Sequence, residues 1–424
     1  MRRQDAPALL LSLLALVPLL NGGFLEGTWT GLAFVVGVAA LLALRMPVSD
    51  SSPGSPALRS LALLLLLGVG WGLIQVVPLP DEWRSVAAPG AMALDRSLGR
   101  DAGFFPLSQD PAATRTVMVA LLTGSVLLLV SSRVQHDLRG RRIVASAIVA
   151  SAVVVAGMHL LDLCLGSEHL WHSSLPEHAR PFGPFVNRNH GATLLLLALP
   201  LAVALGRDWL QAGAVRRGNA ALLGAVAIFV GLLFNGSRGG AIAFVLTLTG
   251  ASLLVRLPLR WKLLALGAAV LLVVLPGVAS TRAGETTTLG QRALLARDAL
   301  TMAKDAPITG VGLGSFGVAY RPYHSVPRFL RFEHVESEPL EILVEGGVPL
   351  LLLAMAAATI LMRVAARALR MQHSLWLGKG AAVGVMAVFL HACFDFPLRT
   401  PGVTVPALLV TAILCQQALE EEAR

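Results

Sequence analysis

Apolar residues in this chain come in unbroken blocks of Leu, Ala and Val. Their cores fall at 7–25, 28–45, 58–79, 112–132, 143–165, 190–206, 219–235, 240–255, 261–279, 340–362, 380–396 and 402–418. Most reach or approach the roughly 18–20 residues that a helix needs to cross a bilayer. A membrane barrel would instead alternate apolar and polar residues over strands of about 10, and no such period is present. The pattern predicts an all-α, polytopic transmembrane helical bundle of about twelve spans, with no internal repeat.

The polar interruptions are of two kinds. After every second block the connection is basic: Arg45 and Arg59; Arg133, Arg139, Arg141 and Arg142; Arg207, Arg216 and Arg217; Arg256, Arg260 and Lys262; Arg363, Arg367, Arg370 and Lys379. Short basic loops stay in the cytoplasm, so both termini are expected there. The chemically varied stretches then fall outside. They are PFVNRNHGA (Pro184–Ala192), NGSRGG (Asn235–Gly240), the segment 280–339 and HACFDFPLR (His391–Arg399). The chain accordingly divides into spans 1–3 with an outer loop (1–110), spans 4–9 (111–279), a large outer loop carrying amphipathic helices (280–339) and spans 10–12 (340–424).

Composition sharpens this picture at three points. With 424 residues, 55% hydrophobic and 14% charged, the chain has far more apolar surface than a soluble domain needs. The net charge of +9 is Arg scattered between apolar blocks, a topogenic pattern and not a nucleic-acid footprint. Cys164, Cys393 and Cys415 are too far apart for a metal spacing or a disulfide framework. Arg2 and Arg3 ahead of an apolar run resemble a signal peptide. No small-residue cleavage site precedes Asn21-Gly22-Gly23, so an uncleaved first span is expected.

The outer stretches hold the candidate chemistry. Gln291–Asp305, QRALLARDALTMAKD, reads as an amphipathic helix on the outer leaflet, with Arg292, Arg297 and Lys304 among its apolar positions. In PITGVGLGSF (Pro307–Phe316), three alternate glycines predict a tight turn where backbone approaches backbone or a ligand. No strand precedes it, so it is not a dinucleotide fingerprint. EHVESE (Glu333–Glu338) crowds carboxylates and an imidazole at a helix start, where the helix dipole alone favours acids by about 0.3–1 kcal/mol each. A general base is the functional alternative, since burial among other acids raises a carboxylate's proton affinity. In NGSRGG, Arg238 must snorkel or meet an anion, because an Arg in hydrocarbon costs about 3 kcal/mol or more. Its guanidinium matches a pair of phosphate oxygens, as does that of Arg188 beside His190. His391 and Asp395, one helical turn apart, are expected to form a polar pair on one face. Span interiors are nearly free of charge, with His159 and Asp162 at the outer end of the fifth. A transporter would place ionisable groups at mid-depth.

Taken together, VNRNHGATLLLLALPLA, SRGG, PITGVGLGSF, the stretch leading into LVEGGVPLLLL, and HACFDFPLRTPG resemble the O-antigen ligase/polymerase family. The match runs in the family's order over roughly 110–418, and SQDPAATR (Ser108–Arg115) adds to it. The resemblance implies a membrane glycosyltransferase of a bacterial inner membrane. It would take a glycan from a polyprenyl diphosphate to a hydroxyl acceptor (lipid A core, growing glycan or protein) on the periplasmic face. Inversion at the anomeric carbon, and no metal, nucleotide or other cofactor, are implied as well. By the same resemblance Arg238, Arg188 and Arg292 hold the diphosphate, and Glu336 or His334 is the base. His190, Ser337, Glu338, His391 and Asp395 support them. The family carries His, then Asn or Ser, then nine residues, then Gly; here Ser337 and Gly347 fit, and Glu336 stands in place of the His. His334 lies where many relatives have a second His. Two other readings compete: a flippase for lipid-linked glycans, or a catalytically silent partner in a glycan-assembly complex.

Overall fold

The computed structural model describes residues 5–20, 22, 28–44, 55–89, 103–167, 171–172, 179–254, 260, 263, 267, 270, 289–325, 332–371 and 375–422. Its helices are α1 (Asp5–Leu14), α2 (Thr28–Leu44), α3 (Pro56–Val76), α4 (Asp81–Ala87), α5 (Pro111–Val134), α6 (Leu138–Leu165) and α7 (Arg188–Gln211). They continue with α8 (Val215–Asn235), α9 (Arg238–Leu254), α10 (Leu289–Asp305), α11 (Phe316–Ala319), α12 (Glu338–Arg370), α13 (Trp376–Ala392) and α14 (Pro401–Glu422). A two-residue antiparallel ladder, Leu79–Pro80 with Phe104–Phe105, is the sheet among the described residues.

Among the described residues, seven helices (α3, α5, α6, α7, α8, α12 and α14) are long and apolar enough to cross a membrane; α2, α9, α13 and the segment Ala8–Leu19 are apolar but shorter. The chain is thus an all-helical, multi-pass membrane protein. The expected first span does not run unbroken from 7 to 25. α1 stops at Leu14, and Pro18, which lacks an N–H, sits in a 3-10 turn over Val17–Leu19. The expected ninth span, 261–279, lies outside the described residues apart from positions 263, 267 and 270.

Polar residues at the block edges decide where the helices begin. Asp110 accepts from the Ala112 and Ala113 amides ahead of α5, with Pro111 at the first position. Asp137 accepts from Gly140 N at 2.7 Å and starts α6. α8 ends on Gly236, whose φ of 72° is one that only glycine adopts freely.

At the centre stands α7, buried on all sides along Leu194–Ala198, as a helix must be when every face is apolar. Glycines bring its neighbours close. A Cβ on Gly384 of α13 would lie 2.6 Å from the Leu197 carbonyl, and one on Gly218 of α8 would lie 3.0 Å from that of Gly206. This small-residue contact is the ordinary way helices associate in lipid, where burial of apolar surface supplies no drive.

The glycine turn and the kink in α12 form one unit. Helical geometry in α12 is interrupted at Gly347, φ 67°, and Pro349 opens the second part. Gln75 of α3 clamps the join: its Nε2 donates to the carbonyls of Thr309 (2.7 Å) and Glu345 (2.8 Å), and its Oε1 accepts from Leu313 N (3.0 Å). Gly310, the first of the alternate glycines in PITGVGLGSF, therefore serves backbone against backbone. A Cβ on Gly310 would lie 2.2 Å from the Glu345 carbonyl, and one on Gly347 the same distance from that of Ile308. Gly347→Ala is expected to cost about 1–3 kcal/mol in backbone strain and more from the clash. A thermal unfolding curve of the solubilised protein that stays unchanged would contradict this.

α10 occupies the expected amphipathic stretch, but its apolar stripe does not face lipid. Leu295, Ala299 and Met302 are fully buried in a satellite core with Phe316, Tyr320, Val335 and Val344. Packing against the first part of α12 offers that stripe a protein surface and fixes Arg292 over the site described next.

Candidate functional site

The starts of α7, α9, α12 and α14 and the ends of α8 and α13 gather at one end of the bundle, with α10 beside them. NRNH and SRGG interlock there. Asn187 caps α7 by accepting from Asn189 N at 2.9 Å, and Asn235 Nδ2 donates to the Arg188 carbonyl at 2.9 Å. The Ser237 hydroxyl donates to Asn189 Oδ1 (2.8 Å) and accepts from Gly240 N (3.0 Å), which fixes the start of α9. Arg188 and Arg238 are consequently the first residues of two adjoining helices, where the helix dipoles already favour an anion. Arg188 is half-buried and Arg238 exposed.

HACFDFPLR closes the next side. The expected His391–Asp395 pair on one helical face is not formed. α13 ends at Ala392, and the chain turns into a 3-10 segment at Pro397–Arg399, so the two side chains part. His391 Nδ1 pairs with the Thr193 hydroxyl at 2.7 Å. That hydroxyl gives its proton to the Asn189 carbonyl (3.0 Å), so the imidazole nitrogen is the donor and its Nε2 carries the lone pair. Nε2 would lie 3.2 Å from a Cβ on Gly239, which places His391 against the start of α9. Asp395 is fully buried and faces His190 Nε2 across 3.7 Å, while His190 Nδ1 meets the Thr400 hydroxyl at 2.8 Å. Burial would raise the Asp395 carboxyl, but the facing His190 and His391 rings and a bond from Phe396 N at 2.7 Å hold it below its ordinary range.

Phe396 joins this side to EHVESE. The His334 ring stacks on it at 4.1 Å between centroids, and the His190 ring meets it edge-on at 4.9 Å. His334 Nδ1 binds Glu341 Oε1 at 2.7 Å, and Glu341 Oε2 accepts from Val335 N at 3.0 Å. Burial disfavours a charge on His334, but the Glu341 carboxylate outweighs it and holds the imidazole pKa above its ordinary value. Two residues on, Glu336 is the one non-glycine residue among those described with positive φ, at 64°. Its Oε2 is paired with Arg292 Nη2 at 2.8 Å, and Arg292 Nη1 donates to the Phe394 carbonyl at 3.3 Å. Burial, followed by the charge of Asp395, pushes Glu336 up to about 7 even though Arg292 opposes the shift. A glutamate outside αR and β space beside a fully buried aspartate stores strain of about 1–3 kcal/mol, a device found where a side chain must be aimed.

Ser337 precedes α12 without a side-chain capping bond, and its carbonyl accepts from Glu341 N at 2.9 Å. Glu338 is buried with its amide on the Asp395 carbonyl at 3.1 Å. The expected residues thus form one continuous polar surface. Arg292 pairs with Glu336, His334 and His190 share the Phe396 ring, and His190 faces Asp395, while His391 joins through Thr193 and Arg188 and Arg238 lie within two residues of His190 and Gly239.

One further side chain braces the site. Arg399 fans across three carboxylates, with Nη1 2.7 Å from Glu345, Nε 3.3 Å from Glu338 and Nη2 3.6 Å from Glu341. The signal was present in the spacing. Glu338, Glu341 and Glu345 at i, i+3 and i+7 lie on one stripe of an apolar helix, and such a stripe demands a cation.

Compared with known proteins, residues 223–355 match the family described as O-antigen ligase, and that segment contains SRGG, the glycine turn and EHVESE. No curated protein matches the chain.

Proposed function

We propose that this chain, which belongs to the O-antigen ligase family, transfers a glycan from a polyprenyl diphosphate carrier to a hydroxyl acceptor at the extracytoplasmic face of the membrane. The observation that carries the reading is the Glu336–Arg292 pair at the meeting point of four sequence stretches. A carboxylate poised near neutrality stands beside cations on an otherwise apolar bundle.

In this reading the acceptor O–H gives its proton to Glu336 as the oxygen bonds to the anomeric carbon. The bond from that carbon to the phosphate oxygen breaks on the opposite side, which inverts the centre. The electron pair leaves with the diphosphate, whose charge is met by Arg188, Arg238 and Arg292 together with the dipoles of α7 and α9. His334 is the weaker candidate for the base. Its bond to Glu341 raises its proton affinity, which favours the cationic form that supports the anion over the neutral form that would take a proton.

Arg292 has two partners in such a cycle. While bound to Glu336 it lowers the base's proton affinity, and binding the diphosphate would draw it away and strengthen the base. The test is transfer by purified protein supplied with a lipid diphosphate-linked glycan and a candidate acceptor. Arg238→Ala is expected to lose about 10²–10³-fold in turnover, the usual effect of one lost anion-stabilising donor. Wild-type turnover by Arg238→Ala and Arg188→Ala in folded protein would reject this site.

A further inference from the structure

We infer that Glu341 is the positioning residue that aims the base. Its two carboxylate oxygens bracket the residues just before Glu336, one on the His334 ring and the other on the Val335 amide, so that the chain must turn at Glu336. This rests on the assignment of Glu336 as the base.

The geometry is specific. Glu341 is fully buried in the first turn of α12, five residues beyond Glu336, and its backbone amide is tied to the Ser337 carbonyl at 2.9 Å. From that fixed point Oε1 reaches His334 Nδ1 at 2.7 Å and Oε2 reaches Val335 N at 3.0 Å. Residues 334 and 335 are therefore folded back over the helix start. The Ser337 carbonyl is held from the other side, leaving Glu336 to absorb the reversal at φ 64°. The reversal delivers its carboxylate to Arg292. Arg399, 3.6 Å from Oε1, is the counter-ion that lets Glu341 stay ionised while buried. Glu345 also binds Arg399 but touches neither His334 nor Val335. Its second oxygen accepts from Phe316 N at 3.3 Å, so it anchors the glycine turn instead.

Three variants separate the roles. Glu341→Asp keeps the charge toward Arg399 and shortens the side chain by one methylene, so it cannot span both partners. Glu341→Gln keeps the reach and loses the charge. Glu345→Gln alters the same cluster away from the loop. Turnover, donor KM and the pH profile are read on purified protein that elutes as a folded, monodisperse species. The groups facing Glu336 are Asp395 and Arg292, then His334 and Glu341, so the acid limb reports on them.

Glu341→Asp is expected to lower kcat at least about 10-fold with donor KM within about 2-fold and the acid limb in place. Glu341→Gln is expected to lower kcat and move the limb to lower pH, because a neighbouring negative charge is gone. Glu345→Gln should keep kcat within about 3-fold. Wild-type kcat in folded Glu341→Asp would overturn the inference, as would an equal loss in Glu345→Gln. Should Glu336→Gln itself retain full turnover, the assignment of the base fails instead, and the two failures are told apart by that one variant.

Discussion

Replacing Arg399 with alanine is expected to produce the largest loss of stability of any single substitution in this protein. The side chain is the shared counter-ion of Glu338, Glu341 and Glu345, which are 7%, 0% and 1% exposed. Burial alone would weaken its hold on the proton, yet the three carboxylates make that hold firmer than in water. Removing one member of a buried ion cluster leaves uncompensated charge, a cost of about 3–5 kcal/mol. That is a large share of the roughly 5–15 kcal/mol that holds a typical domain together. The loss should appear as a fall of at least several degrees in the unfolding temperature of detergent-solubilised protein. Arg399→Lys should fall between, because an ammonium keeps the charge without the planar fork. Adding Glu345→Gln to Arg399→Ala should recover part of the deficit, since groups in one network do not act additively. Unfolding of Arg399→Ala within a degree of wild type would mean that the carboxylates do not need the guanidinium.

Glu336→Gln should abolish most turnover while leaving a folded protein. General-base catalysis is worth about 10²–10⁴-fold, and glutamine cannot take the acceptor's proton. The side chain is 18% exposed and its partner Arg292 34%, so the replacement disturbs no sealed core. The sign of the pH effect follows from the raised pKa. With Glu336 pushed up to about 7, the deprotonated base makes up half the population there and about a tenth at pH 6. Wild-type kcat/KM should therefore climb between pH 6 and 8, and this limb should be missing from the residual activity of Glu336→Gln. Arg292→Ala should move the limb to higher pH, since the opposing cation is removed. A limb that persists in Glu336→Gln and vanishes in His334→Gln would transfer the base role to the imidazole.

These two sites differ in how legible they were. Glu336 announced itself as a carboxylate at the family's His position, next to Ser337, which nine residues separate from Gly347. Arg399 looked like one more cation flanking a span, because the sequence does not say which of 34 basic residues meets the stripe of glutamates. The expected bond between His391 and Asp395 failed for a related reason. Spacing of four residues predicts a shared face only while the helix continues, and α13 stops at Ala392.

Apolar block length settled the all-helical class and the positions of most helices, because helix formation in lipid is a local matter. Each backbone group is satisfied within its own segment, whatever the rest of the chain does. Local rules likewise set the caps at Asp110, Asp137 and Asn187 and the glycine at the end of α8. Packing alone decided which side chains meet. His190 reaches Thr400 across 210 positions, Arg292 reaches Phe394 across 102, and Arg399 reaches Glu345 across 54. Such contacts depend on how whole helices approach one another, and no periodicity within a single segment encodes that.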